Sequence, residues 1–137
     1  MIKIPISISI FKGNGMVMRV AINGYGRIGR SILKALYEAK ATSQIKVVAI
    51  NEKHDLETAA YLTQYDTTHG YFNAQVSTGK NQLIINGEQI DYLQESNLEK
   101  LPWQTLNIDV VLECTGIFRS RELATKHLKA GAKKVLI

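Results

Sequence analysis

The segment Arg19–Ser31, RVAINGYGRIGRS, passes from a short apolar run straight into three closely spaced glycines and then into residues with helical spacing. Gly24, Gly26 and Gly29 fit G-x-G-x-x-G. In that pattern the first glycine permits a tight turn out of a strand and the second lets the backbone approach a diphosphate. The third lets the following helix pack closely on the sheet. The start of such a helix offers amide N–H groups with no intrahelical acceptor, at the positive end of the helix dipole, which suits a phosphate. Glycines also recur in loops for turn geometry alone. Here the pattern follows a β-type run, Val17–Ile22, and opens an amphipathic helix, and that context points to a dinucleotide. The helix is expected to bury Ile28, Ile32, Ala35, Leu36 and Ala39 on one face.

The partner of a dinucleotide turn is an acidic residue at the end of the second strand. Ile45–Ile50, IKVVAI, is continuous and β-branched, as expected of a strand covered on both faces. Glu52 follows it, about 20 residues past the last glycine, where a carboxylate can accept hydrogen bonds from a ribose diol. The same charge repels a 2′-phosphate, so NAD is expected rather than NADP. The plain alternative is an exposed Glu opening a loop. Asn51 is read as holding that loop or touching the adenosine, and Asn23 and Gly24 as the turn beneath the diphosphate. Arg27 and Ile28, at the top of the helix, are its natural neighbours.

Farther along, Asp55 can cap a second helix through Leu62. Phe72–Tyr92 reads as a small antiparallel insertion, with Asn86-Gly87 in QLIINGEQIDY as a hairpin turn. Asp109–Cys114, DVVLEC, is a further buried strand. Ser120 can cap a helix that ends at Gly131, and KKVLI begins another strand. This is the order of an α/β fold, a Rossmann-type, doubly wound, mostly parallel sheet. Residues 16–137 are expected to form that domain, incomplete at its C-terminal end. Residues 1–15, MIKIPISISIFKGNG, read as a disordered leader foreign to it, with Met16 or Met18 the start; a real edge strand is the competing reading.

The totals narrow the function. A chain of 137 residues, 45% hydrophobic and 21% charged, suits one domain with a real core. Its net charge of +5 comes from basic residues interleaved with acids, without the basic stripe or interleaved aromatics of a nucleic-acid surface. No apolar run is long enough to cross a bilayer. The single cysteine rules out an internal disulfide and suits a reducing, cytoplasmic compartment.

INGYGRIGR, VVAINE, YDTTHG, DVVLECTGIF and AGAKKVLI together resemble the N-terminal domain of the glyceraldehyde-3-phosphate dehydrogenase superfamily, from about Met18 to Ile137 and in the family's order. Within it the chain is most similar to the D-erythrose-4-phosphate branch. The glycolytic enzymes usually have Asp at Glu52 and Ala-Thr-Gly at Cys114-Thr115-Gly116; LPW at Leu101–Trp103 and SRE at Ser120–Glu122 lean the same way. The resemblance implies an NAD-dependent homotetramer oxidising a phosphorylated aldose. A cysteine attacks the aldehyde, the hemithioacetal gives hydride to the nicotinamide, and water releases the thioester as 4-phosphoerythronate, on the way to pyridoxal phosphate. In the glycolytic branch phosphate releases it.

The same resemblance sets Thr115 and Gly116 beside the cofactor, and Phe118 as a wall of the adenine pocket. Relatives in the erythrose-4-phosphate branch carry an Arg where this chain has Ser96, after Glu95. Losing that cation removes about 0.5–1 kcal/mol of stacking or pairing at an exposed site. The family's Ser-Cys-Thr-Thr-Asn motif and its following His do not occur in residues 1–137, so no catalytic residue is assigned. Cys114, after a run of aliphatics, reads as a small buried cysteine. His127 is expected to pack beside Leu123 and Leu128 or face the helix's negative end, His69 to belong to a turn, and His54 to a polar loop; no pair has metal-ligand spacing. Two other readings stay open on the residues alone: a stand-alone nucleotide-binding module, and a non-functional remnant with an exposed sheet edge.

Overall fold

The structure, a computed structural model, describes residues 16–65, 72–116 and 121–137. Among the described residues, seven strands form one sheet: β1 Met18–Asn23, β2 Ile45–Asn51, β3 Val76–Gly79, β4 Gln82–Ile85, β5 Glu88–Leu93, β6 Val110–Glu113 and β7 Lys134–Leu136. Three α-helices among the same residues accompany them: α1 Arg27–Glu38, α2 Leu56–Tyr65 and α3 Arg121–Lys129. The strand order is β3-β4-β5-β2-β1-β6-β7. From β1 the chain first builds outward through β2 and later returns to the other side as β6. The direction of winding therefore reverses between β1 and β6, the position at which such sheets bind ligands beyond their carboxyl ends.

The segment expected to form a small antiparallel insertion is antiparallel within itself and extends the main sheet at one edge. β3, β4 and β5 pair antiparallel in turn, and β5 joins β2 in parallel from Ala49↔Asp91 to Asn51↔Leu93. The Asn86-Gly87 turn is as expected, with both residues at positive φ (50° and 83°), the geometry that matches strand twist in a two-residue hairpin.

Alternation along β1 and β6 divides the core between the two faces of the sheet. Val20, Ile22 and Val110 pack with Leu33 and Leu36 of α1 on one face. Ala21 and Val111 pack with Trp103, Ile108 and Ala132 on the other.

Helix α1 is rotated from the expected face. Leu36 is buried and Ile32 packs against the core as expected, but Gly29 and Leu33 are buried beside them, whereas Ile28 is 57% exposed and Ala39 lies at the surface. The cause is the third glycine: a Cβ on Gly29 would lie 2.5 Å from the Gly24 carbonyl oxygen, so this side of the helix meets the turn. Burial of Leu33 and Leu36 then contributes about 1.5–3 kcal/mol each.

Helix α2 begins as expected, with Asp55 Oδ1 accepting from the Thr58 amide at 2.7 Å, and runs on to Tyr65. The expectations for residues 1–15, His69, Phe118 and Ser120 lie outside the described residues. Among the described residues, no helix is long and apolar enough to cross a membrane.

Candidate functional site

A crevice opens beyond the carboxyl ends of β1, β2, β5 and β6. Asn23, Gly24 and Gly26 line it from the first turn, Asn51 and Glu52 from the second strand, Ser96 from beyond β5, and Thr115 from beyond β6. The sheet thus gathers seven of the expected site residues. Arg27 and Ile28 stand exposed at the start of α1, and Gly116 is exposed just past Thr115; none of the three lines the crevice.

The three glycines divide by what each would meet as a larger residue. Gly24 has φ +94°, and a Cβ there would come within 2.7–2.8 Å of Thr115. Gly29 is pressed on the Gly24 carbonyl, as described. Gly26 differs: a Cβ there meets nothing within 4 Å, and its φ of −85° is open to any residue. The protein's own packing leaves the space above Gly26 clear, on the wall of the crevice.

Helix α1 starts at that point without a side-chain cap and without an acidic residue in its first turn. Its positive end and its unpaired amides are therefore left for an anionic group. On the facing rim, Glu52 Oε1 accepts from the Tyr25 amide at 2.8 Å and Oε2 from the His54 amide at 3.1 Å. These bonds aim the carboxylate and leave it lone-pair capacity, since an ionised carboxylate has about four acceptor sites. A pair of hydroxyls could be held there.

Asn51 ties the second strand to both neighbours. Its Nδ2 donates to Asn23 Oδ1 at 2.8 Å and to the Glu95 carbonyl at 3.0 Å, and its Oδ1 accepts from the Glu95 amide at 2.9 Å. Tyr25, between the first two glycines, is buried and anchors the turn from the other side. Its hydroxyl lies 2.6 Å from Thr63 Oγ1, which itself donates to the Ala59 carbonyl, so the phenol donates to Thr63. Burial pushes the Tyr25 phenol well above its ordinary pKa, so it stays a neutral donor.

Cys114 lies half-buried at the crevice. Burial, and then the neighbouring Glu113 carboxylate, push its thiol up to about 11. A group so reluctant to ionise is a poor nucleophile at neutral pH, in keeping with its reading as a packed cysteine.

His127 packs in the last turn of α3, as expected, but its polar partner was not legible in the sequence. It is fully buried, with Nε2 2.6 Å from Glu113 Oε2. The sequence reading also missed Lys53, His54, Gln94, Glu95 and Leu98, which line the crevice. Lys53 and His54 simply follow Glu52. Gln94 and Glu95 follow β5, and recognising that β5 lies next to β2 would have brought them in.

Comparison with known proteins agrees with this geometry. The family model described as the NAD binding domain of glyceraldehyde 3-phosphate dehydrogenase matches residues 18–121. Two relatives from Cupriavidus necator, a plasmid and a chromosomal glyceraldehyde-3-phosphate dehydrogenase, are each 51% identical over 122 residues. The match covers 89% of this chain and 36% of each relative, so the chain spans about a third of their length. The chain belongs to the family of glyceraldehyde 3-phosphate dehydrogenase NAD-binding domains, and its cofactor is NAD.

Proposed function

We propose that the crevice is the NAD site, and that the protein carrying this chain is an NAD-dependent dehydrogenase acting on a phosphorylated aldose. The observation that carries this reading is the clear space above Gly26 beside an uncapped helix start, facing a carboxylate across the crevice. The donor set fits the cofactor: main-chain amides for the diphosphate, an aimed carboxylate for the ribose diol.

Asn23, Gly24, Gly26, Arg27 and Ile28 would take the diphosphate end. Asn51 and Glu52 would take the ribose, and Ser96, Thr115, Gly116 and Phe118 would flank the remainder. When bound, NAD supplies the hydride acceptor. The residues of this chain bind and orient it, and the nucleophile is assigned to a part of the protein outside residues 1–137. We read the protein as a cytoplasmic homotetramer, by resemblance to the family and from the single cysteine.

Erythrose 4-phosphate is the proposed substrate, supported by Glu52, by Cys114-Thr115-Gly116, and by the LPW and SRE segments. Glyceraldehyde 3-phosphate is the second reading, favoured by the names of the two relatives at 51% identity. The test is NADH formation by the whole protein with each aldehyde, with and without inorganic phosphate. Phosphate-independent oxidation of erythrose 4-phosphate supports the first. Phosphate-dependent oxidation of glyceraldehyde 3-phosphate selects the second, and turnover of neither overturns both.

A further inference from the structure

Beneath the crevice lies a buried chain of hydrogen bonds that neither the glycine turn nor the ribose rim requires. Trp103 Nε1 donates to His127 Nδ1 at 3.0 Å, and both side chains are fully buried. An indole N–H can only donate, so His127 Nδ1 is the unprotonated nitrogen. The ring proton of the neutral imidazole then sits on Nε2 and is donated to Glu113 Oε2 at 2.6 Å. This tautomer follows from the hydrogen-bond network.

Glu113 accepts three further bonds. Asn23 Nδ2 donates to Oε2 at 2.8 Å, and Thr115 donates to Oε1 from its hydroxyl at 2.6 Å and its amide at 3.2 Å. The imidazole, the carboxamide nitrogen and the main-chain amide act only as donors here, which calls for an ionised carboxylate. Burial by itself raises the carboxyl pKa, but the bonds from His127, Thr115 and Asn23 outweigh it and hold the group below its ordinary value.

Asn23 ends β1 and Thr115 follows β6, the two strands that flank the reversal of winding, and both line the crevice. The Glu113 carboxylate hydrogen-bonds to both of them, through Oε2 to Asn23 and through Oε1 to Thr115. We propose that Glu113 is a positioning residue for the cofactor crevice, aimed by the buried Trp103–His127 pair so that one carboxylate oxygen fixes Asn23 and the other fixes Thr115. A carboxamide cannot replace it. With one acceptor oxygen it satisfies either Thr115 or the Asn23–His127 side, and its NH2 group then opposes the Asn23 and His127 donors or the Thr115 main-chain amide on the other.

The proposal rests on the reading of the crevice as the NAD site, and the test separates the two. NAD is titrated calorimetrically into the wild type, Gly26→Val, Glu113→Gln, Thr115→Val, the Glu113→Gln/Thr115→Val double variant and Trp103→Phe, with each fold checked by circular dichroism. Loss of binding in Gly26→Val upholds the site; unchanged binding there overturns site and proposal together. With the site upheld, Glu113→Gln is expected to weaken NAD at least tenfold, and the double variant to be no weaker than the weaker single one.

Trp103→Phe, at a residue that does not itself line the crevice, is expected to weaken NAD two- to fivefold, and it decides the matter if Glu113→Gln fails to fold. A purely structural role would lower melting temperatures while leaving NAD affinity within twofold in folded Glu113→Gln and Trp103→Phe. That result, or losses that simply multiply in the double variant, would overturn the proposal.

Discussion

Gly29 sits directly beneath Gly24: a Cβ added to Gly29 would lie 2.5 Å from the Gly24 carbonyl oxygen. This one approach turns α1 so that Leu33 and Leu36 enter the core and Ile28 emerges at the surface. It also fixes the helix start against the turn, where the proposed diphosphate contacts lie.

Gly29→Ala and Gly26→Val are therefore expected to fail in different ways. Gly29→Ala must push the Gly24 backbone aside, an overpacking cost of about 1–3 kcal/mol, visible as a lower melting temperature. A Cβ added to Gly26 meets nothing within 4 Å, which leaves room for a branched side chain there. Gly26→Val should keep the fold, apart from a cap penalty of about 1 kcal/mol, while NAD binding is lost in calorimetric titration. Equal stability losses with unchanged NAD affinity would contradict this division of roles.

Glu52→Gln tests the ribose contact. Hydrogen bonds to a charged group contribute about 1.5–3 kcal/mol, so NAD affinity should fall roughly tenfold or more. The discrimination against NADP should shrink at the same time, because the repelling charge is gone. Competition binding with both nucleotides measures the ratio; an unchanged ratio removes Glu52 from the site.

Acid should destabilise the domain through Glu113. Its folded-state pKa lies below the ordinary value of 4.5, so ionisation favours the folded state. That contribution is fully present above about pH 5 and is lost as pH falls through 4.5 toward the folded-state value. Asp55, held low by the Thr58 amide, acts in the same direction at the surface. Urea unfolding between pH 3 and 7 should therefore show a shallower acid limb in Glu113→Gln than in wild type. Identical limbs would place the acid sensitivity elsewhere.

Cys114 should alkylate slowly in the native protein. With its thiol pushed up to about 11, native labelling by iodoacetamide at pH 8 should be on the order of 100-fold slower than in denaturant, where the thiol returns to its free value. Residues 1–137 hold one cysteine, so peptide mapping by mass spectrometry assigns a label within them to Cys114. Rapid native labelling would show a reactive thiolate and reopen the question of a chemical role.

Much of the architecture could be read along the chain because its signals are local. Asn86-Gly87 marks its own hairpin through positive φ, Asp55 caps its own helix, and continuous IKVVAI marks its own buried strand. The crevice was half legible for the same reason. Asn23 and Asn51 end strands whose limits could be seen, and Gly24, Gly26 and Glu52 follow them. Gln94 and Glu95 escaped because the parallel pairing of β5 with β2 leaves no mark in the hairpin sequence itself.

The sequence alone determined the strand–turn–helix crossover, the order of elements and the acidic end of the second strand, since spacing and periodicity act over a few residues. Only the tertiary structure decided which side of α1 faces the sheet and that Glu113 joins Asn23, Thr115 and His127. Asn23 and Glu113 are 90 residues apart, and their 2.8 Å contact exists because β1 and β6 lie side by side in parallel. A partnership of that range is written in the packing of strands, and no local pattern of residue types carries it.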